Sequence, residues 1–427
     1  MKNCKIFLEE HRMRAVDINI QDIVDLFTAE MFKGLEGRES SLRMIPTYIE
    51  ADNQFFTGVP VVAIDAGGTN FRAALVKFNP QGKLEMTNIM NAKMPGLESE
   101  ISKDEFFETV AGYVKTLARE SDRIGFCFSY PTEILPSKDG KLIHFSKEVQ
   151  APGVVGQLIG QNLLEALGMP EKQIVILNDT VATLLAGKSA SVGHDYDSFI
   201  GYILGTGTNT CYIENNSNIK KNKSLDSAKS QIINIESGNF SKAPRTDIDI
   251  LFDNTTTNPG SHTFEKMISG GYFGNLCLLT FQTAAKEGVF TASAVSGILS
   301  LSELSSEDVN LFLASPQSGK GPLSLIFKEK TDVERCLEIV DCLLNRAAIL
   351  VAANLAAVVL RTNKGRTPGR PILVTVEGSI YYKLHNFRTQ IDRYFREYLT
   401  GERERYVEFK EVKQSSLVGA ALAALIN

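Results

Sequence analysis

The feature that most constrains this chain is a pattern that occurs twice. VVAID, a small-residue turn and FRAALV occupy residues 61–76, and FIGYIL, a second such turn and TCYIE occupy 199–214. Both turns end in Gly-Thr-Asn, at 68–70 and 207–209. Short apolar runs joined through glycine read as β-hairpins. Two of them, each opening one half of the chain, imply an internal duplication. Further strands alternate with helical stretches, which predicts an α/β protein.

Strands are expected at Leu84–Met94, in IGFCFSYP, in QIVILND and in PILVTV. Ile20, Ile23, Val24, Phe27 and Met31 mark one apolar helical face. A capping box from Ser102 to Glu105 predicts a helix carrying Phe106, Val110, Val114 and Leu117. Other helices are expected from about Val154 to Leu167, from Thr180, over Asp332–Leu360 as one helix or two, and in the C-terminal SSLVGAALAALIN. The polar stretch after Glu214, with Lys220, Lys221 and Lys223, reads as a solvated loop.

The 427 residues leave room for two or three domains. A formal net charge of −5 lacks the basic face that nucleic-acid binding needs. The longest apolar run, Ala347–Leu360, is broken by Asn354 and falls short of the roughly 18 residues of a membrane span. It is expected to be a buried helix. The charged first residues carry no apolar core of a secretory signal. Six cysteines, none in CxxC pairs, read as reduced thiols of a cytoplasmic protein, and the scattered histidines offer no zinc cluster.

The turn Asp65-Ala66-Gly67-Gly68-Thr69-Asn70 presents backbone N–H groups with no Cβ in the way, so a phosphate can approach closely. Thr69 adds a hydroxyl and Arg72 a cation. Asp65 is placed to hold Mg²⁺ through water. The second turn, Gly205-Thr206-Gly207-Thr208-Asn209, has the same chemistry, which suggests a nucleotide held between the two. Neither is a P-loop or a dinucleotide turn. In Asn178-Asp179-Thr180 a carboxylate stands at the end of an apolar strand and the start of a helix. Alone it reads as an N-cap, but facing a phosphate cleft it is where a general base is needed.

Taken together these segments closely resemble the hexokinase family, from the N-terminal helix to the last residues. IDAGGTNFR and LGTGTN match its two phosphate motifs, and GFCFSYP matches its strand GFTFSFP. Phe145-Ser146-Lys147 corresponds to its W-T-K. ILNDT, IINIESGNF, NPGSHTFEKMISGGYFG and VTVEGSIYYKLH follow in family order. The resemblance implies the two-domain actin-like ATPase fold, related to ribonuclease H, with a deep interdomain cleft. The small domain would span 60–178, joined by the C-terminal helix 414–427. The large domain would hold 179–413 and the N-terminal segment 1–59. A hexose would be held by Ser129, Ser146, Lys147, Asn178, Asp179, Asn209, Glu236 and Glu265. Asp179 would be the catalytic base, with water-mediated metal contact possible there too, and Lys147 would contact the reacting oxygen. ATP would meet Asp65, Gly67, Gly68, Thr69, Asn70, Arg72, Gly205, Thr206, Gly207, Gly378, Ser379 and Ser416.

The chain departs from the family pattern at Ser237, Phe145 and Ser146. Glu377 stands where the adenosine motif reads Asp. The C-terminal G-S-G-K-G-A-A has become Ser415-Ser416-Leu417-Val418-Gly419-Ala420-Ala421. Ser237, in place of an aromatic residue, is expected to loosen the sugar pocket. The alternative reading is a sugar sensor with weak ATP use. Preferred hexose and oligomeric state, monomer or homodimer, stay open.

Overall fold

The structure, a computed structural model, describes residues 2–50, 55–145, 149–191 and 193–426. The first hairpin pairs β1 (Pro60–Gly67) with β2 (Asn70–Phe78). β3 (Leu84–Lys93), β4 (Arg123–Phe128) and β5 (Gln173–Leu177) complete a sheet in the order β3-β2-β1-β4-β5. The second hairpin, β6 (Ser198–Leu204) and β7 (Thr208–Asn215), opens another sheet with β8 (Ser230–Asn234), β9 (Ile372–Glu377) and β10 (Val407–Lys410). Its order is β8-β7-β6-β9-β10, with the two-residue strand Ile45–Pro46 beyond β8. In each sheet the first three strands meander antiparallel and the last two join in parallel. The duplication legible in two turns is a duplication of whole-sheet topology.

The helices that position the site are α1 (Ile20–Glu36), α2 (Lys103–Ala118), α3 (Ile159–Leu167), α4 (Asp179–Ser189), α5 (Thr263–Ile268), α6 (Lys330–Thr362) and α7 (Ser415–Leu425). Val62 and Ile64 of β1 pack with Phe106, Val110 and Leu163 of α2 and α3. Val61 and Ala63, on the opposite face, pack with Val181 and Leu185 of α4 and Leu417 and Ala421 of α7. A sheet covered on both faces explains the continuous apolar runs. The far face of the second sheet is closed by α1 and α6. At 33 residues α6 is longer than the expected run and apolar enough to cross a membrane, but 89% of its most apolar window is buried in the protein, so it is a core helix.

Glycines let α4 and α7 sit backbone to backbone on their neighbours. A Cβ on Gly125 of β4 would lie 1.8 Å from the Ala420 carbonyl, and one on Gly419 would lie 1.9 Å from the Ala182 carbonyl. On Gly201 of β6 it would lie 2.4 Å from the Thr180 carbonyl. Such contacts lock α4 between the sheets, and Asp179 is its first residue.

Two boundaries and one cap differ from expectation. The helix expected from Val154 begins at Ile159, after a separate 3₁₀ turn at Pro152–Val154. Its cap comes from 21 residues away, where the Asp139 carboxylate accepts the Gly160 and Gln161 N–H groups at 2.7 and 2.9 Å. The N-cap before α4 is Asn178, and Asp179 already belongs to the helix. Ser102 caps α2 by accepting the Glu105 N–H at 3.1 Å, one half of the expected box.

Gly125→Ala is expected to push α7 off β4 and to cost at least about 1–3 kcal/mol, as overpacking does. A urea titration checks this. An unchanged midpoint would show that the seat of α7 yields.

Candidate active site

A cavity of about 930 Å³ opens between the two halves. Ser129, Asn178 and Asp179 line it from the first half and the start of α4, and Asn209, Glu236 and Glu265 line it from the second. Thr206 and Gly207 complete that wall. Ser146 and Lys147 lie outside the described residues.

Each acid is held by its own backbone geometry. Asp179 Oδ1 accepts the Thr180 N–H at 2.7 Å and lies 3.2 Å from Thr180 Oγ1. Oδ2 has no hydrogen-bond partner among the described residues. Glu236 sits in the left-handed region at φ 61°. Its Oε1 accepts from Asn234 Nδ2 at 2.8 Å and Asn209 Nδ2 at 3.4 Å. Asn209 is fixed in turn, because its Oδ1 accepts the Thr210 N–H at 2.7 Å. Glu265 Oε2 accepts the Thr208 N–H at 2.9 Å. A Cβ on Gly207 would lie 2.6 Å from that oxygen, so glycine at 207 is what admits the Glu265 carboxylate.

Burial raises the carboxyl pKa values of Asp179, Glu236 and Asp65 above their usual range. For Asp179 the neighbouring charges of Asp65 and Glu236 add to that shift, while its bonds to Thr180 oppose it. For Asp65 the opposing group is Arg72. These two residues are cross-strand partners, and Arg72 Nε donates to Asp65 Oδ2 at 3.0 Å. Arg72, expected to serve phosphate alone, is therefore also the partner of Asp65.

The residues expected to meet a nucleotide fall outside this cavity's wall, Thr206 and Gly207 excepted. They gather beside it instead. Gly67 abuts Ser129, and the Tyr130 hydroxyl fixes the first turn by donating to the Gly68 carbonyl at 2.8 Å. Gly205 abuts Gly378. The Gly205 and Thr206 carbonyls accept from Gly270 and Gly271 at 2.8 and 2.9 Å. Ser416 is buried in the first turn of α7. Among the described residues no group of three or more His, Cys, Asp or Glu forms a metal cage. Asp65 and Asp179, coupled by charge, fit an oxygen-loving cation held through water.

One expectation is corrected. Ser237 does not loosen the pocket, because it is fully buried with Oγ 3.0 Å from Thr210 Oγ1, off the cavity wall. The lysine-rich insert is an exposed loop, as expected, with Lys220, Lys221 and Lys223 in solvent and Lys221 Nζ donating to the Arg43 carbonyl at 2.7 Å. Arg43 and His144 line the cavity outside any recognised motif, and Asn234 and His262 line it from within two recognised motifs without having been singled out. His262, at φ 52°, stands one turn before Glu265. Lys266 holds that segment through Asp253 Oδ1 at 2.6 Å and the Asn258 carbonyl at 2.8 Å. Phe145, where the family has Trp, packs its ring between Phe106 and Tyr130.

Family models described as Hexokinase match residues 7–189 and 199–426. The chain belongs to the hexokinase family. It is 30% identical to Hexokinase-3 of Oryza sativa subsp. japonica, over 96% of this chain and 87% of that protein. It is 30% identical to Glucokinase-1 of Saccharomyces cerevisiae, over 95% of this chain and 94% of the other. Among solved structures it resembles a hexokinase from Schistosoma mansoni complexed with glucose, with TM-score 0.77, 23% identity and coverage of 99% and 100%. Another hexokinase crystal structure gives TM-score 0.79 at 25% identity, covering 97% and 98%. The fold is the two-domain actin-like ATPase architecture, and the protein is a hexokinase, transferring a phosphoryl group to a hexose.

Asn234→Ala is expected to raise the hexose KM about ten- to a hundredfold, the worth of one hydrogen bond to a carboxylate. Steady-state kinetics with a sugar panel checks it, and an unchanged KM removes Asn234 from the sugar side.

Proposed function

We propose that this hexokinase moves the terminal phosphoryl group of ATP to the 6-hydroxyl of glucose, with Asp179 as the base. The observation that carries the reading is the place of Asp179. Its carboxylate stands on the cavity wall at the N-terminus of α4, with one oxygen tied to Thr180 and the other without a partner among the described residues. Asn209, Glu236 and Glu265 on the opposite wall are polar groups of the kind a sugar's hydroxyls require. The name Glucokinase-1 among the relatives supports glucose as the hexose.

In this reading Asn209, Glu236, Glu265 and Ser129 hold the sugar, with Ser146 and Lys147 joining them. Asp179 accepts the proton of the 6-hydroxyl as that oxygen bonds to the terminal phosphorus and ADP departs. The two glycine turns present N–H groups to the triphosphate. Asp65 and Asp179 would hold Mg²⁺ through water, and the ion would supply charge neutralisation at the phosphates. The small domain is 60–178 with 414–427, and the large domain is 179–413 with 1–59. Their closure on the sugar excludes water from the acceptor position. Six free thiols, five of them buried, support a reducing cytosol as the setting. The departures at Glu377, Leu417 and Val418 favour one second reading, a hexose sensor that binds sugar without turning over MgATP.

A coupled ADP-release assay separates the two, since absence of hexose-dependent turnover rejects the kinase reading. Asp179→Asn is expected to lower kcat by about 10²–10⁴-fold, with sugar affinity by calorimetry kept within a few-fold. A variant of wild-type rate would end the base role. The base works deprotonated and its pKa is raised by burial. Activity should therefore fall as pH drops through a value above about 3.9, the ordinary Asp pKa. A pH–rate profile flat down to that value contradicts the assignment.

A further inference from the structure

Glu377 ends β9, and the chemistry above gives it no task. Its Oε2 accepts a hydrogen bond from the hydroxyl of Ser415, the first residue of α7. The same oxygen lies 3.3 Å from Thr183 Oγ1 in α4. Thr183 Oγ1 also donates to the Asp179 carbonyl at 2.9 Å. One carboxylate thus joins the end of a second-sheet strand to the first turn of α7 and to Thr183, which stands one turn after Asp179 in α4 and is bonded to its carbonyl.

The next residue faces the other way. Gly378 has φ 128°, and a Cβ there would lie 2.2 Å from the Leu204 carbonyl and 2.6 Å from the Gly205 N. So two consecutive residues touch the base-bearing helix, at Thr183, and the start of the second glycine turn. We infer that Glu377 is a positioning residue, paired with Ser415, that sets the spacing between Asp179 and the turn Gly205–Gly207. This inference rests on the reading of Asp179 as base. Side-chain length is what the role requires, because an Asp at 377 falls one methylene short of Ser415 and Thr183. It is therefore telling that this chain departs from its family's motifs at both 377 and 415, where a longer acid meets an added hydroxyl. Charge is a separate matter. Asp65, Asp179, Cys127 and Tyr382 lie within electrostatic reach of Glu377, and burial raises its pKa.

The test separates length from charge. Glu377→Gln keeps the reach and an accepting oxygen, and its kcat is expected to stay within about fivefold of wild type. Glu377→Asp keeps the charge and loses the reach, and its kcat is expected to fall about 10–100-fold, as ångström-scale misplacement of reacting groups does. Hexose affinity by calorimetry should stay within threefold in both, and thermal melting confirms folding. Ser415→Ala should lower kcat in the same sense, and adding it to Glu377→Asp should cost little more, because both break one contact. Wild-type kcat in Glu377→Asp overturns the inference. So does loss in Glu377→Gln with retention in Glu377→Asp, which would make Glu377 a charge for the nucleotide or its metal. Asp179→Asn, measured in parallel, tells the two readings apart. If it is inactive while Glu377→Asp is normal, only the positioning role fails. If it is active, the base reading fails and the inference with it.

Discussion

Everything at the cleft depends on two helices touching backbone. α4 and α7 fill the space between the sheets without side chains to hold them apart, because glycine occupies the crossing points at 125, 201 and 419. A close-packed crossing of this kind has no slack. It fixes where α4 begins, and so where Asp179 stands. It also makes α7, the last helix of the chain, a structural part of the first half, against which Arg123 donates to the Ala424 carbonyl at 2.9 Å.

Upon that frame the cleft gathers acids that solvent would rather keep apart. Asp65, Asp179, Glu236 and Glu377 all have pKa values raised by burial. Each is made tolerable differently: Asp65 by an arginine, Glu236 by two amides, Glu377 by two hydroxyls, and Asp179 by a helix N-terminus that leaves one oxygen unpartnered. Asp179, half-buried, is the one of the four with a carboxylate oxygen facing the cavity and no partner among the described residues. The polar cavity wall and the glycine turns interlock as well. Gly207 must lack a Cβ to admit Glu265, and Gly270 and Gly271 bind the carbonyls of the second turn.

The two hairpins, four further strands and six of the seven helices that position the site were legible in the amino-acid sequence, because local periodicity and glycine placement decide them, whereas β8 and β10 were not. Where local reading failed, a distant residue had intervened. Asp139 caps α3 from a β-hairpin, which moved the helix start from Val154 to Ile159. Arg43 escaped notice because an arginine in an unremarkable stretch carries no periodic signal, and Asn234 because a motif does not say which of its side chains turn to the cavity. Ser237 misled because substitution at a motif position says what is present, not which way it faces. It turned inward to Thr210.

By itself the sequence determined the duplicated plan, the family and the inventory of acids and glycine turns, since these are properties of residue type and spacing along the chain. Only the tertiary structure decided which acids share one cavity, that Arg72 is bound to Asp65, and that Glu377 reaches Ser415 and Thr183. Those outcomes rest on distances between residues as many as 194 positions apart, as between Thr183 and Glu377. Packing sets such distances, and no local rule encodes them.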